Sequence, residues 1–195
     1  MSKIALASTS RVRKKILTES GVDFEVIAPL YDEDVEKKNL PKMSVKKLAL
    51  FLAKQKALSI SEKFPDLYVI GSDQVCEFEK EEISKSKNAK EALTQLKKFN
   101  GKTHHQNNAV VVAFAGKVIF ENFSRVELTM RKMSLGEIED YIKLDLPWGC
   151  AGSYKYESLG KHLFEKISGD YYSILGLNLQ PLLNFLHKKN YINIK

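Results

Sequence analysis

The stretch VIGSDQVCEF, Val69 to Phe78, decides how this chain is read. An apolar climb through Tyr68, Val69 and Ile70 reaches Gly71, and Ser72, Asp73 and Gln74 follow in a row. Val75 and Phe78 resume the apolar pattern. The pattern predicts a strand over Leu67–Val75 that delivers an acid and an amide at its end. Neither residue suits a sheet interior unless something there needs it, because burying an unpartnered polar group is costly.

On the N-terminal side, Ser44 is placed to cap a helix reaching about Lys63, with Val45, Leu48, Phe51, Leu52 and Leu58 on its apolar face. Further back, Lys3–Ala7 reads as a strand that empties into Ser8-Thr9-Ser10. A helix follows to about Ser20, with Val12, Ile16 and Leu17 inward and Gly21 as its stop. Phe24–Ala28 reads as a short strand closed by Pro29, and Tyr31–Pro41 as an acidic loop. On the C-terminal side, Asn88 caps a helix that Asn100-Gly101 ends. Ala109–Ala115 and Lys117–Met130 form a hairpin turned at Gly116. Ser134 and Glu137 have the spacing of a capping box for a helix through Leu144. Pro147–Gly152 is a bend, and Leu177–Lys189 a last helix with Pro181 in its first turn. No repeat or linker interrupts the alternation. The expected class is α/β with a mixed sheet, in one domain over residues 1–195.

Composition narrows the function classes. The chain has 195 residues, 44% of them hydrophobic and 28% charged, which is ordinary for a globular protein. No apolar run is long enough to span a bilayer, and the first residues lack the apolar core of a signal peptide. Cys76 and Cys150 are far apart and lack metal-ligand spacing, so they are read as reduced thiols in a cytoplasmic protein. The formal net charge of +7 favours an anionic partner. Only four of the 31 basic residues are arginines, and they form no stripe with interleaved aromatics, so nucleic acid is not the expected partner. His104-His105 has no accompanying ligand cluster, and zinc is not expected.

Three groups of residues carry chemistry. LASTSRVRKKIL, Leu6 to Leu17, is a strand running into hydroxyls and then a helix with Arg13 in its first turn. Such a turn offers unpaired backbone N–H groups and a positive dipole end, which suit phosphate, although a plain helix cap reads the same way. Glu33, in a loop, and Asp73, at a strand end, are acids that can hold a hard divalent cation. Taken alone, Glu33 reads as a solvated loop acid. Arg13, Lys54, Lys56 and Lys85 are the candidate cations for an anionic substrate.

LASTSRVRKKIL, VIGSDQV and CAGSYKYESLG occur in this order, with LAKQKA (Leu52 to Ala57) between them and GLNLQPLLNFL (Gly176 to Leu186) after them. Together they resemble the Maf family of nucleotide pyrophosphatases across nearly the whole chain. The resemblance implies an elongated mixed sheet flanked by helices, with two lobes and a central cleft, similar to the inosine triphosphate pyrophosphatases. It implies hydrolysis of a nucleoside triphosphate between the α and β phosphates, with a divalent metal cation, Mg or Mn, as cofactor. Asp73 falls on the family's catalytic acid, and with Glu33 it would hold the metal. Ser8, Thr9, Ser10, Arg13, Lys56 and Lys85 fall on substrate-handling positions. A homodimer is left open, and no membrane is involved.

Gln74 and Glu157 resemble the family's 7-methyl-GTP branch, and with Val12 they are the expected specificity positions. A carboxylate can accept from the N1–H and N2–H₂ edge of guanine, and Gln74 carries both a donor and an acceptor for a base edge. The chain departs from the branch in STSRVRK, where Val12 replaces an expected tryptophan and Arg11 a proline. It departs again in ISKSK around Lys85 and in KTHHQNNAV after Gly101. The alternatives are a pyrophosphatase for dTTP or UTP, or a non-catalytic nucleotide-binding regulator of cell division.

Overall fold

The computed structural model describes residues 3–37 and 40–192; Lys38 and Asn39, within the loop expected over Tyr31–Pro41, lie outside the described residues. The chain runs β1 (Lys3–Ala7), α1 (Arg11–Glu19), β2 (Glu25–Ile27), α2 (Glu33–Glu36), α3 (Val45–Ser61), β3 (Leu67–Phe78) and β4 (Glu81–Ile83). It continues through α4 (Ala89–Phe99), β5 (Thr103–Phe114), β6 (Lys117–Met130), α5 (Leu135–Asp145) and a 3₁₀ turn at Leu159–Leu163. β7 (Phe164–Ser168), α6 (Tyr171–Ile174) and α7 (Leu179–Lys188) complete it. The sheet has the order β2-β1-β3-β5-β6-β7, with β4 added to β3. β1 is parallel to both β2 and β3, whereas β4, β5, β6 and β7 pair antiparallel.

Local signals explain most element boundaries. The Ser44 hydroxyl accepts from the Lys47 amide, and the Asn88 side chain accepts from Glu91 N. Ser134 and Glu137 make the reciprocal capping box. The β5–β6 hairpin turns through Ala115 at φ 48° and Gly116 at φ 71°, two left-handed residues in a row, as the tightest hairpins need.

One face of the sheet packs on α3, where Leu48, Leu52, Ala53, Ala57 and Ile60 meet Val69, Val75, Val111 and Ala113. On the other face, Ile16 and Leu17 of α1 and Leu182 and Leu186 of α7 cover Ile70, Val110 and Val112. Farther along that face, Leu96 and Phe99 of α4 and Ile138 and Ile142 of α5 cover Cys76, Val126 and Leu128. The α/β class, with a mixed sheet between helices, is the one the sequence predicts.

Three sequence expectations change. Glu33 opens the short helix α2 and does not stand in a loop. β3 does not end at Val75: it continues to Phe78, held by β5 from Val69 to Glu77. What ends is its neighbour. β1 stops at Ala7 opposite Gly71, and β4 pairs with β3 only from Cys76 onward. Ser72–Val75 therefore have no strand on that edge among the described residues, and Asp73 sits inside a strand facing a gap in the sheet. A crevice beyond the carboxyl end of a parallel strand is where open α/β sheets bind ligands. Likewise, His104 and His105 lie within β5 and not before it. His104 is a core residue that stacks on Phe99 with ring centroids 4.4 Å apart.

Candidate active site

The gap opens into a cleft of about 450 Å³. Eleven of the residues singled out in the sequence line it: Ser8, Thr9, Ser10, Val12, Arg13, Glu33, Lys56, Asp73, Gln74, Lys85 and Glu157. Lys54, a further candidate cation, does not line it.

The turn after β1 supplies the first wall. The Ser10 hydroxyl caps α1 by accepting from Arg13 N at 3.3 Å. The Ser8 hydroxyl accepts from Ser10 N at 3.2 Å and from Arg13 Nη1 at 3.4 Å. Arg13 Nε donates to the Gly176 carbonyl at 2.7 Å, and Ser72 Oγ donates to the same oxygen at 2.9 Å. One carbonyl thus ties α1 to β3. Gly176 has φ 95°, and a Cβ there would lie 3.3 Å from Arg13 Nη2. Glycine suits both the backbone and the space. Burial lowers the Arg13 pKa, opposed by the carboxylates of Asp73 and Glu33.

α3 supplies the second wall through a close approach to β3. A Cβ on Gly71 would lie 2.3 Å from the Ala53 carbonyl oxygen and 2.7 Å from Ala57 N. With Ala53, Gly71 and Ala57 at the contact, the helix backbone settles directly on the strand. Lys56 then reaches over β3, and its Nζ donates to Asp73 Oδ1 at 2.5 Å and to Glu33 Oε2 at 2.7 Å. Asp73 is 5% exposed. Burial raises its pKa; Lys56 and Arg13 oppose the rise, and the nearby Glu33 carboxylate adds to it. At Glu33 burial pushes the same way, but Lys56, Lys85 and Lys37 outweigh it and its pKa is lowered. The two acids are thereby driven apart in acidity. Such a split is how a site assigns one carboxylate to proton transfer and leaves the other ionised.

Gln74 lies differently from the sequence expectation. Its Nε2 donates to the carbonyls of Ser173 and Ile174, at 3.0 and 2.7 Å. Both amide hydrogens are spent on positioning α6, and only the carbonyl end is left for a ligand. Lys85 is exposed at the cleft edge and makes no ion pair among the described residues.

Several cleft residues escaped sequence reading. Tyr31 lines the cleft with a buried hydroxyl that has no hydrogen-bond partner among the described residues. Gln106, Tyr154 and Tyr156 line it too. Gly176 orients Arg13 through its main chain. Gln106 and Tyr154 are buried, and only the folded sheet and its flanking loop bring them to the wall.

The cleft holds a small set of donors for a divalent cation. Glu33 and Asp73 converge on one cationic centre, the Lys56 ammonium. Among the described residues no group of three or more His, Cys, Asp or Glu side chains forms a protein-only cage. Magnesium takes one or two carboxylates and completes its shell with waters and substrate phosphates, so this pair fits.

A curated relative from Bradyrhizobium diazoefficiens, named nucleoside triphosphate pyrophosphatase, is 37% identical over 195 residues, covering 99% of this chain and 96% of its own length. One of the same name from Legionella pneumophila is 34% identical over 183 residues, covering 94% and 92%. Among solved structures, a nucleoside-triphosphatase (dITP/XTP pyrophosphatase) from Mycobacterium abscessus aligns with 97% of this chain and 95% of its own. The TM-score is 0.41 and the identity 15%. No helix among the described residues is long and apolar enough to cross a membrane. The model of the family described as Maf-like protein matches residues 3–189, and the chain belongs to that family.

Proposed function

We propose that the protein is a nucleoside triphosphate pyrophosphatase that hydrolyses the α–β anhydride to a nucleoside monophosphate and pyrophosphate, and that 7-methyl-GTP is its preferred substrate. The observation that carries the reaction is the meeting of Glu33 and Asp73 at Lys56, in a cleft that Arg13 and Lys85 also line. Asp73 is the base. Its carboxylate orients a water and takes its proton as the water oxygen attacks and the bridging P–O bond breaks. A carboxylate whose pKa is raised toward the working pH does this better than an ordinary one. Arg13, fixed by Gly176 and Ser8, offers its guanidinium to phosphate oxygens at the start of α1. Lys85 offsets charge that develops on the leaving pyrophosphate. Glu33 and Asp73 would hold a divalent cation, Mg or Mn, which when bound neutralises phosphate charge and lowers the pKa of water.

The base preference rests on Glu157. Its carboxylate lines the same cleft and can accept from the N1–H and N2–H₂ edge of a guanine. A uracil or thymine has no such pair of adjacent donors. Negative charge at Glu157 also favours a cationic methylated base over a neutral one. The test is pyrophosphate release across a panel of triphosphates, with magnesium, with manganese and with a chelator. Release from 7-methyl-GTP above GTP, dTTP and UTP supports the reading. Preference for dTTP or UTP overturns the base assignment, and tight binding without release overturns the reaction.

A further inference from the structure

We infer that a second cavity beside the cleft receives a second nucleoside, so that a dinucleoside polyphosphate is also a substrate; this rests on the reading of the cleft given above. The second cavity has a volume of about 930 Å³, within the range of small-molecule sites. Glu33, Gln74, Lys85 and Ala151 line both cavities, so the two adjoin. Arg13, Lys56, Asp73 and Glu157 line only the first. Trp148 and Lys87 line only the second.

Trp148 is the only tryptophan of the chain, and it is 38% exposed. Its ring stacks on no other ring and meets no cation among the described residues. The bend that carries it is nonetheless held in place. The neighbouring Gly149 N donates to the Ser86 carbonyl at 2.8 Å, and Ser153 Oγ donates to Ser86 Oγ at 2.9 Å. Ser86 is buried and stands between Lys85 and Lys87. The bend bearing the indole and the segment bearing both lysines therefore form one wall. Lys87 is exposed and makes no ion pair among the described residues. Lys37 lines the same cavity but is bonded to Glu82.

Lysines alone would suit the pyrophosphate that leaves an ordinary triphosphate. They do not account for the indole. Asp32 and Glu82 also line the cavity, and a bare polyanion would be repelled by their charge. A nucleoside on a phosphate tail matches all three features. Its base has a face for the indole, its phosphates suit Lys85 and Lys87, and its ribose hydroxyls can donate to a carboxylate. Glu33 and Lys85, the phosphate-handling residues, stand where the two cavities meet, with base-sized space on either side. Two nucleosides joined by a phosphate chain have the same layout. The reaction is unchanged in kind. Water attacks the α phosphorus, Asp73 takes its proton, and the α–β bridging P–O bond breaks. From a dinucleoside triphosphate the products are a nucleoside monophosphate and a nucleoside diphosphate, which leaves in place of pyrophosphate.

The experiment measures kcat/KM for GTP and for diguanosine triphosphate in the wild type, in Trp148→Ala and in Trp148→Phe, with products separated by chromatography. Where the triphosphate panel selects another base, both compounds carry that base. The wild type should cleave the dinucleotide to GMP and GDP at least as efficiently as GTP. Trp148→Ala should lower the dinucleotide value roughly tenfold, the usual effect of losing a base-stacking ring, and leave GTP unchanged. Trp148→Phe, which keeps an aromatic face, should retain most of the dinucleotide activity. A wild type that cleaves GTP but not the dinucleotide overturns the inference. An equal loss on both compounds in Trp148→Ala overturns it too, because the ring then serves the first nucleoside or the wall. The fluorescence of the single tryptophan reads the second cavity without turnover. The uncleavable α,β-methylene forms of the two compounds are titrated into the wild type. Quenching by the dinucleotide and not by the mononucleotide supports the inference; equal quenching by both, or none by either, overturns it. A protein that cleaves neither compound fails as a pyrophosphatase, and quenching then decides the second cavity by itself.

Discussion

Gly71 lies so close to Ala53 that a Cβ on the glycine would fall 2.3 Å from the alanine carbonyl oxygen. This approach between β3 and α3 is what lets Lys56, one residue before Ala57, reach Asp73, two residues beyond Gly71. The packing of α3 on β3 and the Lys56–Asp73 pair of the proposed mechanism therefore depend on the same close contact. Gly71→Ala should lower stability by about 1–3 kcal/mol, the usual cost of overpacking a close contact. Because the helix must lift, it should also lower turnover. Thermal unfolding and steady-state kinetics on the same preparation check this. A variant with native stability and native turnover would show that α3 can move without consequence.

Asp73→Asn should keep the fold and lose roughly 10²–10⁴ in turnover, because the amide cannot take a proton. Its effect on stability has a definite sign. Burial raises the Asp73 pKa in the folded state, so the protonated form is favoured by folding. The stabilising contribution is present at low pH and is lost as pH rises through the folded-state pKa. At neutral pH the ionised carboxylate is a liability, and the asparagine variant should melt at the same temperature or higher. The acid limb of kcat/KM in the wild type should lie above the ordinary aspartate value near ~3.9. Near wild-type turnover in the variant would remove Asp73 from the mechanism.

Arg13→Ala and Lys85→Ala should differ in kind. Arg13 is bonded to Gly176 and Ser8, so its loss should lower the melting temperature as well as activity. Lys85 is exposed and makes no ion pair among the described residues, so its loss should raise KM or lower kcat with the melting temperature unchanged. Equal melting losses in both variants would contradict this division.

Val12→Trp should raise selectivity for 7-methyl-GTP over GTP. Val12 lines the cleft and is half-buried against the apolar cluster under α1. An aromatic face there would favour a cationic ring by about 0.5–2 kcal/mol, up to roughly thirtyfold in kcat/KM. The ratio for the two nucleotides, under one metal, is the measurement. An unchanged ratio in a folded, active variant would show that position 12 does not face the base.

By itself the sequence determined the elements whose signals are local. The caps at Ser44, Asn88 and Ser134 and the turn at Gly116 are written in a few adjacent residues, and each stands where the sequence places it. The ordered motifs also marked the side chains that line the cleft. β4, α6 and β7 were not legible, because three to five residues are too few to show a period and are fixed by what they pack against. Only the tertiary structure decided that β3 runs on past Asp73. Pairing with β5, some 35 residues away, sustains the strand while β1 ends beside it. The same holds for Gln74, whose amide hydrogens are claimed by carbonyls about 100 residues later. A side chain's type states what it can bond to. Which partner it finds depends on segments distant in the chain, and a local pattern cannot carry that.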